Sequence, residues 1–173
     1  MKEKLRRIKM LLMDVDGVLT DGRFFYLDNG AEAKAFDVKD GFAIRLAELG
    51  GLKTGIITGK MSPIVERRAE ELGIKECHQG YFNKVEVYKD IKTRLDLFDA
   101  EIAYIGDDLF DLGVLKLAGF SACPADAVPE VKEIVDYVTQ CSGGRGAVRE
   151  IIEMVLQARH HWEGLLDKFL EGK

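Results

Sequence analysis

Short apolar runs that alternate with segments of helical periodicity constrain the fold of this chain more than any other feature. Each run is four to six residues long, which is the usual length of a buried strand. Parallel strands joined by helices give this alternation, so the sequence predicts an α/β fold with a doubly wound, mostly parallel sheet. The predicted strands are 8–13, 53–58, 101–105, 119–123 and 135–138, and the predicted helices are 40–49, 62–72, 84–98, the segment that follows Asp108 and ends at Leu117, 129–134 and 146–156.

A β-hairpin is predicted between the first strand and the first helix. Asn29-Gly30 lies between two apolar arms, and both residues accept the positive φ of a tight turn. Between the first two strands there is room for this hairpin, at about 23–37, and for one helix, but not for a separate cap domain. We therefore expect a single domain over 1–173 with an amphipathic tail at about 158–173.

The composition excludes several classes of function. The net charge of −5 and a pI near 5.3 argue against a nucleic-acid binder, so an anionic substrate would need a local cationic pocket. The three cysteines are odd in number and widely spaced, which favours reduced thiols over a disulfide framework. No apolar segment is long enough for a signal core or a membrane span. We expect a cytoplasmic protein that binds neither nucleic acid nor membrane.

Polar side chains follow three of the predicted strands at the point where each strand ends. These residues are Asp14, Thr58 and Asp107, and ligands of such sheets bind at the carboxyl ends of the strands. Asp14 and Asp16 are two residues apart, so in an extended chain both carboxylates can face one site. Two acids that close repel each other unless a cation or a shared proton compensates, and Mg²⁺ prefers such oxygen ligands. Taken alone, Asp14-Val15-Asp16-Gly17 favours an ordinary acidic turn at the end of a strand.

The run Gly106-Asp107-Asp108-Leu109-Phe110-Asp111 repeats this arrangement later in the chain. Asp108 suits a helix N-cap and Asp111 suits the first turn of a helix, and neither role needs a ligand. Those roles do not explain an acid at the end of an apolar strand. Asp107 is therefore predicted to bind a metal ion.

Two further positions suit a bound phosphate. Thr58-Gly59-Lys60 offers a hydroxyl and a backbone N–H at a strand end. Such Thr-Gly turns are common, however. The second position is Lys84, which opens a predicted helix, but most lysines on protein surfaces simply face solvent. By themselves these two positions leave the presence of a phosphate site open.

Together these residues resemble, in order and context, the four motifs of the haloacid dehalogenase (HAD) superfamily, whose core is a Rossmann-like sheet. The resemblance implies a phosphatase in which Asp14 attacks phosphorus, while Asp16 protonates the leaving alkoxide and then deprotonates the hydrolytic water. It implies that Thr58 and Lys84 bind the transferring phosphoryl group. Mg²⁺ would be held by Asp14, by the backbone carbonyl of Asp16 and by Asp107, with Asp108 and Asp111 in or near the surrounding layer.

Within that superfamily the chain resembles the phosphatases of 3-deoxy-D-manno-octulosonate 8-phosphate, which make a sugar of lipopolysaccharide. The resemblance covers about 8–156 and includes the segments 36–41 and 143–150. The family usually has Arg where this chain has Lys60, and lysine lacks the bidentate fork of arginine. Matching positions imply substrate contacts at Asp16, Asp37, Val38, Lys39, Asp40, Gly41, Arg45, Lys60, Arg68 and Lys84.

The hairpin also implies a partner subunit. Phe24-Phe25-Tyr26-Leu27 makes both hairpin faces apolar, and one subunit can cover only one of them. The similar enzymes are homotetramers whose hairpins form a central barrel and whose neighbouring subunits help to close each site. We expect this chain to form a homo-oligomer, and the resemblance implies a tetramer.

Three other functions share part of this pattern. A phosphorylated receiver domain also carries acids, Thr and Lys on a doubly wound sheet, but its acidic pair and phosphoacceptor follow different strands. A catalytically idle binding module is disfavoured by the intact set of motif residues. A phosphatase of another nonulosonic acid phosphate shares the carboxylate end of the substrate, so first principles do not separate it from the octulosonate enzyme.

Overall fold

The structure, a computed structural model, describes residues 1–171. It contains a central sheet, a separate two-stranded hairpin and eight α-helices within that range. The strands are β1 (Met10–Met13), β2 (Phe25–Tyr26), β3 (Glu32–Ala33), β4 (Lys53–Thr58), β5 (Glu76–Gln79), β6 (Ile102–Ile105), β7 (Phe120–Cys123) and β8 (Tyr137–Val138). The helices are α1 (Lys2–Arg7), α2 (Val38–Leu49), α3 (Pro63–Leu72), α4 (Lys84–Arg94), α5 (Leu112–Leu115), α6 (Pro129–Lys132), α7 (Ala147–Ala158) and α8 (Trp162–Leu170), with 3₁₀ turns at Asp99–Glu101 and Leu109–Asp111.

The central sheet has six strands in the order β5-β4-β1-β6-β7-β8, and every pairing in it is parallel. Strand β1 lies between β4 and β6, with Met13 opposite Ile56 on one side and Ile105 on the other. The chain continues this register for one more residue, because the Asp14 N–H donates to the Ile105 carbonyl at 3.0 Å. The loops after β1, β4 and β6 therefore meet at one edge of the sheet.

The sheet is covered on both faces. Side chains alternate along β1, so Leu11 and Met13 join the core formed with α2 and α7, while Met10 and Leu12 join the core formed with α4, α5 and α6. All four are fully buried, as expected of a central parallel strand. The predicted doubly wound α/β fold is confirmed.

Several elements differ from their predicted extents. Strand β5 was not predicted, because Glu76-Cys77-His78-Gln79 lies half-buried at the sheet edge and carries no apolar run. Helix α4 was predicted to reach Phe98 but ends at Arg94, and Asp96 then takes a positive φ of 51°. The helix predicted up to Leu117 is a 3₁₀ turn followed by the single turn of α5.

The hairpin has the predicted position but only two residues in each strand. Its side chains Phe25, Tyr26 and Leu27 are exposed, Tyr26 by 71%. Within residues 1–171, the chain between β1 and β4 forms this hairpin and α2, with no cap domain. Helix α8 forms most of the predicted tail, whose residues 172–173 lie outside the described range. Over the described residues, no helix has the length and apolar character to cross a membrane.

Candidate active site

A cleft of about 470 Å³ opens at the carboxyl edge of the sheet, where the loops after β1, β4 and β6 meet. Its rim is aromatic and includes Phe24 from the hairpin side and Phe82 and Phe110 from the opposite loops. The predicted site residues that line it are Asp14, Asp16, Thr58, Lys60, Lys84 and Asp107. The sheet topology thus brings together residues up to 93 positions apart in the sequence.

Lys84 forms the closed end of this cleft. Helix α4 begins at this residue, and its side chain is only 2% exposed. The ammonium lies 2.7 Å from Asp14 Oδ2 and 2.7 Å from Asp111 Oδ1. Burial disfavours the charged lysine, but the two carboxylates outweigh burial and raise its pKa. Lys84 is therefore a buried cation fixed beside Asp14, and not a solvated surface lysine.

Asp111 is fully engaged by the protein. Its Oδ1 accepts hydrogen bonds from Lys84 and from the Tyr104 hydroxyl at 2.6 Å, and its Oδ2 accepts from the backbone N–H groups of Asp107 at 2.9 Å and Asp108 at 3.3 Å. Asp108 caps the following 3₁₀ turn through the Leu109 N–H, as its position after the strand suggested. Asp111 thus orients the neighbouring loop and has little capacity left for another ligand.

The Asp107 carboxylate, in contrast to that of Asp111, has an oxygen without a hydrogen-bond partner among the described residues. This oxygen, Oδ1, is buried, and buried polar atoms nearly always have a partner. Burial and the nearby carboxylates of Asp14 and Asp111 raise the pKa of Asp107 to about 8. Burial and Asp111 also raise the pKa of Asp14 to about 6. Burial and clustered negative charge thus disfavour the ionised form of both acids, although Lys84 offsets part of this effect.

These acids fit a hard divalent cation. Carboxylate oxygens of Asp14, Asp107 and Asp111 lie within 4.8 Å of one another. Asp111 accepts from four donors, whereas each Asp14 oxygen has one partner, the Val15 N–H or Lys84, and Asp107 Oδ1 has none among the described residues. Asp14 and Asp107 therefore have the greater capacity left for an ion. Oxygen ligands in an open, water-accessible cleft suit Mg²⁺.

The loop after β1 is held by close backbone approaches. Gly17 has φ +87°, and a Cβ at this residue would lie 1.9 Å from Asp107 Oδ2. On another side of the loop, a Cβ at Gly143 would lie 1.8 Å from the Gly17 carbonyl oxygen. Only glycine fits at both positions, so Gly143 packs directly against the loop after β1.

The remaining predicted substrate contacts lie away from this cleft within the single chain. Asp37 caps α2, since its Oδ1 accepts the Lys39 and Asp40 N–H groups. The buried Asp40 carboxylate accepts the N–H groups of Gly146 and Arg149 at 3.0 and 2.8 Å, which joins α2 to the start of α7. The other five line no part of the cleft: Val38, Lys39, Gly41, Arg45 and Arg68. Their contacts with substrate stay predictions.

Sequence reasoning missed two residues of the site. Tyr104 lies within an apolar strand, where an aromatic residue is ordinary, and only the structure reveals its hydroxyl on Asp111. Lys34 lies beyond β3 on the hairpin, and its ammonium forms an ion pair with Asp16 Oδ1. No periodicity or motif marked either residue. Lys60, which was predicted, pairs with Glu32 of the hairpin.

Comparisons with known proteins agree with this geometry. Residues 76–152 match the model of a haloacid dehalogenase-like hydrolase family. The chain is 42% identical over 165 residues to 3-deoxy-D-manno-octulosonate 8-phosphate phosphatase KdsC of Escherichia coli (strain K12), covering 95% of this chain and 86% of the relative.

Solved structures of phosphatases with this name are also similar to this chain. The phosphatase of that name from Moraxella catarrhalis, in complex with a magnesium ion, a phosphate ion and a KDO molecule, has a TM-score of 0.95 at 38% identity and covers 97% of both chains. The Yersinia pestis structure has a TM-score of 0.93 at 39% identity and covers 94% of this chain and 88% of that one.

The parallel sheet, the acidic cleft at its carboxyl edge and these matches define a haloacid dehalogenase-like hydrolase. Within that class, the chain belongs to the 3-deoxy-D-manno-octulosonate 8-phosphate phosphatase family. The resemblance inferred from the sequence motifs is confirmed.

Proposed function

We propose that this chain is a magnesium-dependent phosphomonoesterase that hydrolyses 3-deoxy-D-manno-octulosonate 8-phosphate to 3-deoxy-D-manno-octulosonate and phosphate, a step of lipopolysaccharide sugar synthesis. Relatives that share about two fifths of its residues carry this name, and one of them holds magnesium, phosphate and KDO. The observation that carries the chemistry is the buried Lys84 ammonium, 2.7 Å from Asp14, beside the unpartnered oxygen of Asp107.

The first step is a transfer of the phosphoryl group to Asp14. A carboxylate oxygen of Asp14 forms a bond to phosphorus while the bond from phosphorus to the sugar oxygen breaks. Asp16 gives its proton to that leaving oxygen, so the sugar departs as a neutral alcohol. Lys84 and Thr58 hold the equatorial phosphoryl oxygens, and the fixed Lys84 charge offsets the charge that builds up on them.

The second step returns the enzyme to its starting state. Asp16, now a carboxylate, takes a proton from a water molecule, whose oxygen bonds to phosphorus as the bond to Asp14 breaks. Inorganic phosphate leaves, Asp14 is a carboxylate again, and Asp16 carries the proton for the next cycle. Protons, bonds and charge balance over the two steps without any redox partner.

Asp14, Asp107 and the backbone carbonyl of Asp16 are the groups that would hold Mg²⁺. The cation would neutralise the carboxylates that otherwise repel each other and would offset the charge of the substrate phosphate. The raised pKa values of Asp14 and Asp107 support this assignment, because burial and neighbouring carboxylates disfavour their ionised forms and a cation between them would offset that effect.

We further propose a homotetrameric assembly in the cytoplasm, with the sugar held between subunits. The exposed Phe25, Tyr26 and Leu27 support an oligomer, since one subunit leaves them uncovered. In such an assembly, residues 37–41, Arg45 and Arg68 would meet the sugar acid together with Lys60 at the cleft. The three cysteines, all free in the described structure, support a reducing compartment.

A phosphate-release assay tests this function. We expect fast release from the octulosonate phosphate with Mg²⁺, slower release from generic hexose phosphates, and loss of release after chelation. Asp14→Asn should abolish turnover, and mass spectrometry of acid-quenched wild-type enzyme should find a phosphoryl group on Asp14. Equal rates on all sugar phosphates would reject the substrate, and an active Asp14→Asn variant would reject the covalent mechanism.

A further inference from the structure

A lysine of the hairpin reaches the catalytic loop. The Lys34 side chain is 1% exposed, and its ammonium forms an ion pair with Asp16 Oδ1. The same ammonium lies 4.2 Å from the centroid of the Phe24 ring, which sits on the cleft rim. Burying an ammonium is costly unless it is paired, so the Asp16 carboxylate and the Phe24 ring are what stabilise Lys34 in this place.

The ion pair with Lys34 gives the two carboxylate oxygens of Asp16 different environments. Oδ1 is occupied by Lys34, whereas Oδ2 accepts no hydrogen bond from any residue within 1–171. The Asp16 side chain is 23% exposed and lines the cleft, so Oδ2 is the oxygen that can meet a leaving group or a water molecule. A carboxylate held at one oxygen keeps a single orientation at the other.

We propose that Lys34 is a positioning residue for the phosphatase reaction, which holds Asp16 by Oδ1 and leaves Oδ2 aimed into the cleft for proton transfer. This inference rests on the proposed role of Asp16 as acid and base. Lys34 acts through Asp16 and touches neither phosphate nor metal ion. Because Lys34 belongs to the hairpin, the orientation of the Asp16 side chain also depends on the position of the hairpin.

Lys60 does not duplicate this role. Its ammonium also lies near the Phe24 ring, 4.1 Å from the centroid, but its ion-pair partner is Glu32 of the hairpin. The Lys60 side chain is 37% exposed, in contrast to the buried Lys34. The two cations around one ring are therefore distinct: one faces the cleft and solvent, and the other is committed to Asp16.

The first test is Lys34→Met. We expect kcat on the alkyl phosphate substrate to fall about 10- to 100-fold, part of the factor that a positioned acid contributes, with KM within about twofold of the wild type. With p-nitrophenyl phosphate, whose leaving group needs little protonation, the fall in the phosphoryl-transfer rate should be smaller. Lys34→Arg keeps the charge and should restore most of kcat.

The second test is a double-mutant cycle with Asp16→Asn. If Lys34 acts through Asp16, Lys34→Met should lower the residual rate of the Asp16→Asn enzyme by less than about twofold. Lys92→Met is the matched control, since it removes a lysine that pairs with Asp99 far from the cleft, and its kcat should equal that of the wild type. Melting temperature and size in solution are measured for each variant, and Lys34→Gln replaces Lys34→Met if the latter does not fold.

Three outcomes would overturn the inference. One is a large rise in KM with unchanged kcat, which would make Lys34 a direct substrate ligand. The others are an equal loss of kcat with and without the Asp16 carboxylate, and no loss of kcat in any folded Lys34 variant. A fully active Asp16→Asn enzyme is a different result, because it would reject the acid–base role of Asp16, and with it this inference, while the phosphatase function itself would stand.

Discussion

Gly17 and Asp107 approach so closely that a Cβ at residue 17 would lie 1.9 Å from the Asp107 carboxylate. Gly17→Ala must therefore displace the Asp107 side chain or one of the two loops proposed to hold Mg²⁺, in addition to straining a φ of +87°. We expect a loss of about 100-fold or more in kcat/KM, the scale of a 1 Å displacement at a reacting group. Phosphate release and Mg²⁺ titration of the variant measure this loss.

Gly30→Ala is the matched control for Gly17→Ala. Gly30 has a similar φ of +78°, but a Cβ there would meet nothing within 4 Å. Both variants should lose about 1–2 kcal/mol of stability from the left-handed backbone, whereas only Gly17→Ala should lose catalysis. Equal activity of the two variants would show that the contact with Asp107 is unimportant.

Asp107→Asn tests how the Asp107 carboxylate affects the stability of the metal-free protein and, separately, the stabilisation by Mg²⁺. The folded-state pKa of Asp107 is about 8, above its ordinary value of 3.8, so its contribution to stability is present below 3.8 and is lost as the pH rises through 8. Metal-free wild type should therefore lose melting temperature relative to Asp107→Asn across that window. Melting curves at a series of pH values, with and without Mg²⁺, measure the difference.

The same variant should lose the stabilisation by Mg²⁺. In the wild type, added Mg²⁺ should raise the melting temperature most at the high-pH end of the window, where both acids are ionised. In Asp107→Asn this rise should be small at every pH. A variant that is still stabilised by Mg²⁺ as strongly as the wild type would remove Asp107 from the metal site.

Lys84→Met should damage both folding and catalysis. It leaves the carboxylates of Asp14 and Asp111 buried without their cation, and breaking a buried pair in this way costs about 3–5 kcal/mol. Phosphate release should fall by about 100-fold or more, because one fixed positive group at the phosphoryl site is lost. Denaturant unfolding and steady-state kinetics measure the two effects.

Lys9→Met provides the comparison for Lys84→Met. Lys9 pairs with Glu101 at the opposite edge of the sheet, and its side chain is 60% exposed. Its loss should leave the unfolding midpoint and kcat close to those of the wild type. A Lys84→Met enzyme that behaves like Lys9→Met would mean that the buried triad contributes little to either property.

Asp40→Ala distinguishes a structural role from a substrate contact. Its carboxylate accepts two N–H groups at the start of α7, so removal should cost about 1–2 kcal/mol, as for other helix caps. Asp136→Ala removes a carboxylate that accepts the Ser121 N–H at the amino edge of the sheet and serves as the control for stability alone. If Asp40 also binds the sugar acid in an assembled enzyme, KM should rise in Asp40→Ala but not in Asp136→Ala.

Much of the fold was predictable because short apolar runs in the sequence mark its core strands. The apolar runs around β1 and β4 fix strand, burial and parallel pairing together, and the rule that ligands bind at carboxyl ends then places Asp14, Thr58 and Asp107 at one site. Strand β5 escaped prediction because its place in the sheet depends on pairing with β4 and not on its own residues.

The parts of the site that could not be predicted depend on tertiary geometry. Nothing in the sequence indicates that Lys34 folds back from the hairpin to Asp16, or that Tyr104 and Lys84 saturate Asp111. The lysine of the family motif was predictable by its position in the chain, but its burial between two acids was not. Contacts of this kind arise where loops from different strands meet.

The contact between Gly143 and the Gly17 carbonyl limits how this protein can vary. The loop after β1 is confined by backbone on one side and by the Asp107 carboxylate on the other, so neither glycine admits a methyl group without displacing its neighbour. A saturation library selected for phosphatase activity should tolerate many replacements on the exposed rim, such as at Phe82, and almost none at these two glycines. Evolutionary drift around this enzyme is thus restricted at positions that supply spacing and no reacting atom, as well as at the reacting groups.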